Sequence, residues 1–194
     1  MPCWSEAEIP LSGHMRASGS SKDQIIILVL LRININQKMF SSNEAIMYKT
    51  ILVPLDGSKR AERILNHVEV LAHSFNAKVI FLQVVTAPNI VGYDESAILL
   101  YHHNLEALSK QAESYLSSLK GEFREKGIET KICVVGGPVV EQIITCALKE
   151  NVDLVAMCSH GRTGLARAFY GSVTAGVLNL IDRPLLIIRS RRDN

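Results

Sequence analysis

The chain has 194 residues, 47% of them apolar and 21% charged, which suits one packed domain and is too apolar for a disordered polymer. A formal charge of +2, with Lys and Arg scattered, excludes the concentrated basic face that nucleic-acid binding requires. The four cysteines, Cys3, Cys133, Cys146 and Cys158, form no CxxC pair, so they argue against a zinc site or a disulfide framework and fit a reducing cytoplasm.

Residues 1–46 read as an appendage. A Ser-rich stretch around Ser12–Ser21 precedes the apolar run Ile25–Leu31, which lies between Gln24 and Arg32 and falls well short of the ~20 residues that cross a bilayer. No small-residue cleavage site follows it, so it is not a signal peptide and no membrane partner is expected. Two readings stay open. Met47 is the natural start and the earlier residues are non-native or flexible, or the β-branched run Ile25–Ile33 adds a strand or an interface.

From Lys49 onward short apolar runs alternate with helical periodicity. The pattern predicts strands at Thr50–Leu55, Lys78–Val85, Thr130–Val135, Leu154–Met157 and Leu185–Arg189. Helices are predicted near Lys59–Phe75, His103–Lys126, Val139–Glu150 and Ala168–Ile181. The long second helix carries Leu105, Leu108, Ala112, Tyr115, Leu116 and Leu119 at helical spacing. Strands this uniformly apolar are covered on both faces, and parallel neighbours need crossover helices, so the expected fold is α/β, a five-stranded parallel doubly wound sheet in one domain, residues 47–190. Residues 191–194 are a tail. Ligands of such sheets bind beyond the carboxyl ends of the strands, where the strand order reverses.

Two strand tips carry chemistry. The first strand ends in Pro54-Leu55-Asp56-Gly57-Ser58, where Asp56 either faces the cleft or, with Ser58, caps the next helix. The fourth ends in Met157-Cys158-Ser159-His160-Gly161-Arg162-Thr163-Gly164, and Gly171-Ser172-Val173-Thr174 follows at a helix start. Glycines allow close backbone approach to a phosphate, and a helix N-terminus offers unpaired N–H groups and a positive dipole end. The competing reading makes the glycines loop punctuation and Ser172 an N-cap. Cys158 is either a redox-active thiol or a small apolar filler, and His160 and Arg162 are either phosphate contacts or solvated side chains. His102 and His103, adjacent on a helix, point apart and make no metal pair.

These residues resemble the universal stress protein family. The opening Tyr48-Lys49-Thr50-Ile51-Leu52-Val53-Pro54-Leu55-Asp56-Gly57-Ser58 is similar to the family's own. The ATP-binding branch carries Gly, two residues, Gly, nine residues, then Gly with Ser or Thr. Here Gly161, nine residues, Gly171 and Ser172 match it, while Cys158 stands at the first glycine position. The ending Arg183-Pro184-Leu185-Leu186-Ile187-Ile188 is similar too. The resemblance implies a Rossmann-like, adenine-nucleotide α-hydrolase-like domain that binds ATP. It places Pro54, Asp56 and the backbone of Val84 around adenine and ribose and Gly161, Gly171, Ser172 and Val173 on the phosphates, and Met157 and Cys158 count among the cofactor-binding residues as well. Mg would be held on the phosphates by Asp56. A homodimer through the last strand, Leu185–Ile188, is implied as well.

No P-loop lysine motif is present, so a nucleotide-dependent regulatory switch is expected rather than a conventional enzyme, with any ATP hydrolysis slow. The alternatives are a weak ATPase that autophosphorylates on Ser172 or Thr174, and a non-nucleotide dimeric interaction module whose pocket is blocked by Cys158.

Overall fold

The computed structural model describes residues 25–26, 48–86, 95–159 and 171–188. The elements are β1 (Ile25–Ile26), β2 (Thr50–Leu55), a 3₁₀ turn (Ala61–Ile64) running into α1 (Leu65–Phe75), β3 (Lys78–Val85), α2 (Glu95–Glu125), β4 (Thr130–Gly136), α3 (Val139–Lys149), β5 (Leu154–Cys158), α4 (Ser172–Leu180) and β6 (Leu185–Ile188). The sheet order is β1-β6-β5-β2-β3-β4. Strands β2 to β6 are parallel, as the five apolar runs require, and β1 joins antiparallel at the β6 edge.

The sheet separates two cores. Phe81, Val53, Ile51 and Ala156 pack against the 3₁₀ turn, α1 and α2, where Leu116 and Phe123 are buried. Phe81 meets Phe123 edge to face, with ring centroids 5.0 Å apart. Leu52, Ile80, Val155 and Ile187 pack on the other face, with Ile143 and Ala147 of α3 and Val177 of α4. This alternation along each strand is the period-2 geometry of a sheet buried on both sides. Helices α3 and α4 approach closely at Gly176, where an added Cβ would lie 2.8 Å from a Val140 methyl.

Several expected boundaries shift. α2 begins at Glu95 rather than near His103. The helix expected from Lys59 opens instead as a 3₁₀ turn, because Asp56, Gly57 and Ser58 fold into a tight turn in front of it. α4 begins at Ser172, and the predicted start at Ala168 lies outside the described residues.

The strand order reverses between β2 and β5, whose ladder holds only Ile51 opposite Leu154 and Leu52 opposite Val155. At its lower end the Asp153 carboxylate accepts the backbone N–H groups of Lys49 and Thr50, both at 2.9 Å, and the Asp153 N–H donates to the Thr50 carbonyl at 3.0 Å. Above Leu52 the ladder stops short of Pro54, which has no N–H to extend it. The strands part there, at the place a ligand crevice is expected.

Candidate functional site

A cavity of about 530 Å³ fills that crevice, within the roughly 300–1,000 Å³ typical of small-molecule sites. Pro54, Asp56, Val84, Met157, Cys158, Gly171, Ser172 and Val173 all line it. Gly161 falls outside the described positions, as do His160, Arg162 and Gly164.

The β2 tip is internally satisfied. Asp56 Oδ1 accepts the Ser58 N–H at 3.0 Å and the Ser58 hydroxyl at 2.6 Å, while Ser58 Oγ accepts the Ala61 N–H at 3.1 Å. Gly57 between them has φ +76°, a left-handed conformation that favours glycine. Asp56 lines the cavity, and its carboxylate also fixes Ser58, whose hydroxyl accepts the first N–H of the 3₁₀ turn while Arg60 is the N-cap position.

The β5 tip is built differently. Ser159, only 1% exposed, donates its backbone N–H to Ile188 and accepts the Gly171 N–H at 2.7 Å, which holds the start of α4 against the strand end. The buried Thr174 hydroxyl donates to the carbonyls of Cys158 and Ser159 at 3.2 and 3.3 Å. Gly171 is the N-cap residue, so Ser172 is the first helical residue and not the cap that the alternative reading assigned to it. A glycine N-cap has no side chain to occupy the first N–H groups of α4, and the residues of that first turn, Ser172, Val173 and Thr174, line the cavity.

Cys158 is buried, with its thiol turned into the wall and donating to the Ala61 carbonyl at 3.4 Å. That is the geometry of a small filler seated beside the 3₁₀ turn, and it keeps the side chain out of the middle of the cavity.

Sequence reasoning missed part of the lining. Leu108, Ala112 and Tyr115 of α2 close one side of the cavity, although their spacing had marked them as core. Burial, followed by the nearby Glu62 carboxylate, pushes the Tyr115 hydroxyl well above its ordinary pKa and keeps it neutral. Gln83 also lines the cavity, and its Oε1 is buried with no hydrogen-bond partner among the described residues. A polar residue near the end of an otherwise apolar strand was the available signal. Among the described residues no group of three His, Cys, Asp or Glu side chains is placed to hold a metal ion by itself.

Residues 47–189 match the sequence profile of the universal stress protein family. The chain belongs to that family. A universal stress protein of Methanocaldococcus jannaschii, MJ0577, is 31% identical over 159 residues, spanning 76% of this chain and 98% of the relative. One from Synechocystis is 32% identical over 148 residues, spanning 76% of this chain and 90% of the relative. The solved structure of MJ0577 superposes with a TM-score of 0.68 at 32% identity, covering 76% of this chain and 99% of that one. UspA from Lactobacillus plantarum shares the fold with a TM-score of 0.64 at 21% identity, covering 76% of this chain and all of that one. The fold expected from sequence is thus the universal stress protein fold, and no helix among the described residues is long and apolar enough to cross a membrane.

Proposed function

We propose that this universal stress protein holds ATP in the crevice between β2 and β5 and acts as a nucleotide-dependent switch in the stress response, in the cytoplasm. The observation that carries the reading is the start of α4, Gly171 to Thr174, whose glycine N-cap makes no side-chain hydrogen bond, opening onto the same cavity as Pro54, Asp56 and Val84. Free N–H groups and a positive dipole end suit a phosphate chain. The apolar flank of Val84, Val139, Ile143 and Met157 suits a flat heterocycle.

A magnesium ion fits the described lining at Asp56. Mg²⁺ on a nucleotide is commonly held by one or two carboxylates plus phosphate oxygens, and Asp56 is the only carboxylate among the described cavity-lining residues. Asp56 would therefore hold the ion through the phosphates.

The site favours retention over turnover. No lysine lines the described cavity to meet a terminal phosphate, and Asp56, its one carboxylate, is already engaged by Ser58. Autophosphorylation on Thr174 conflicts with its geometry, because the hydroxyl is buried and donates to two carbonyls. Ser172 is exposed and remains the acceptor open to that alternative.

Calorimetric titration of the full chain with ATP and magnesium tests the proposal, with Cys158→Gly alongside. Saturable one-to-one binding by the wild type supports it. Binding by Cys158→Gly alone would mean that the cysteine closes the site, and a non-nucleotide interaction module would take its place. Phosphate release well above a no-protein control would replace the switch with an ATPase.

A further inference from the structure

Strand β4 is tied to the end of α3 at one measured point: Lys131 Nζ donates to both carboxylate oxygens of Glu150, at 2.8 and 2.7 Å. Side chains alternate along β4. Ile132 and Val134 pack into the core beneath α1 and α2, while Cys133 and Val135 pack into the core beneath α3 and α4, so Lys131 and Cys133 share the α3 face. The buried face of α3 runs through Ile143, Cys146 and Ala147, and helical spacing puts Glu150 on it one turn after Cys146. α3 joins two parallel strands, β4 and β5, and therefore runs back against them. Two residues of strand advance about 6.6 Å and four residues of helix about 6 Å, so the rung beside Lys131 and Glu150 sets Cys133 against Cys146. Burial first, and then the neighbouring Cys133 sulfur, push the Cys146 thiol up to about 12. Both thiols are free, Cys146 buried and Cys133 half-buried within reach of solvent.

We propose that Cys133 and Cys146 are a peroxide-reactive pair that closes to a disulfide between β4 and α3 and reopens with a thiol reductant. Cys133, the more accessible, is the attacking group: its thiolate takes one peroxide oxygen, the O–O bond breaks, and Cys133 becomes a sulfenic acid while the other oxygen leaves as water. The Cys146 sulfur then attacks the Cys133 sulfur, the S–O bond breaks, and the departing hydroxyl takes the Cys146 proton as a second water. Two thiols are oxidised to one disulfide and one peroxide is reduced to two waters. Among the described residues β4 is the last strand of the sheet and is laddered on one side only, to β3, which gives it freedom to close on α3. The bond would fasten this outer strand to the helix whose Val139 and Ile143 line the cavity. The proposal is independent of nucleotide binding.

The test treats the reduced full chain with hydrogen peroxide, blocks the remaining thiols with N-ethylmaleimide and reads the tryptic digest by mass spectrometry without reduction. Cys133 and Cys146 fall in one tryptic peptide, 132–149. That peptide should carry no maleimide and weigh about 2 Da less than its reduced form, a loss that dithiothreitol reverses. With dimedone present, the Cys146→Ala chain should trap the Cys133 sulfenic acid about tenfold more than the wild type, because nothing then resolves it. Maleimide on both cysteines after peroxide overturns the proposal. Oxygen added at Cys133 while Cys146 keeps its maleimide also overturns it, as does a disulfide from either cysteine to another peptide. These outcomes are read on the wild type and need no folded variant. Equal dimedone labelling of wild type and variant overturns the role given to Cys146.

Discussion

The seam between β2 and β5 has a closed end and an open one. Below, Asp153 ties the two strands together through three hydrogen bonds to Lys49 and Thr50, so the backbone groups there are satisfied within the chain. Above, the ladder ends at Leu52 and Val155, Pro54 cannot extend it, and the first residues of α4 line a cavity. The contrast shows how one seam can serve two ends: the closed end ties the strands together, and the open end leaves a cavity lined by the first turn of α4.

Substitutions can separate the two ends. The largest effect is expected from Gly171→Asp. Gly171 has φ −65° and ψ 160°, which any residue adopts, so the fold should survive. The new carboxylate would cap α4 and repel anions, and ATP affinity should fall ~100-fold, about 2.8 kcal/mol, by calorimetry with the melting temperature held. Unchanged affinity would remove the helix start from the site.

Asp153→Ala should do the reverse, lowering stability by about 2 kcal/mol in urea unfolding because two charge-assisted hydrogen bonds are lost, while ATP affinity changes little. A matching loss of affinity would mean that the two ends are coupled rather than divided in role. At the upper end itself, Ser58→Ala should cost about 1 kcal/mol, since one hydroxyl both donates to Asp56 and accepts from Ala61. If the variant instead loses ATP while keeping its stability, the β2 tip is a ligand contact and not a brace. The smallest effect is expected at Cys158→Gly, with ATP affinity within about threefold of wild type, because the thiol is already turned toward Ala61. A tenfold gain would show that the side chain obstructs the cavity.

Much of this was legible in the sequence because the signals are local. Uniform apolar runs marked the five parallel strands, since a strand covered on both faces has no solvent side to reveal. The tips at Asp56 and at Gly171-Ser172 stood out as polar and glycine residues placed directly after such runs or before a helix. Leu108, Ala112 and Tyr115 were not legible as cavity residues, because helical spacing identifies a buried face without saying whether that face meets side chains or a void. Nor was the start of α2 at Glu95, where the apolar pattern does not declare a helix boundary.

Sequence by itself determined the family, the parallel architecture and the identities of eight cavity-lining residues, since periodicity and short motifs are properties of neighbours along the chain. Tertiary structure alone decided that Gly171 rather than Ser172 caps α4, that the Cys158 thiol faces Ala61, and that the β6 edge is met by β1. Each of these depends on which groups distant in sequence come within hydrogen-bonding reach, and only the folded chain sets those distances.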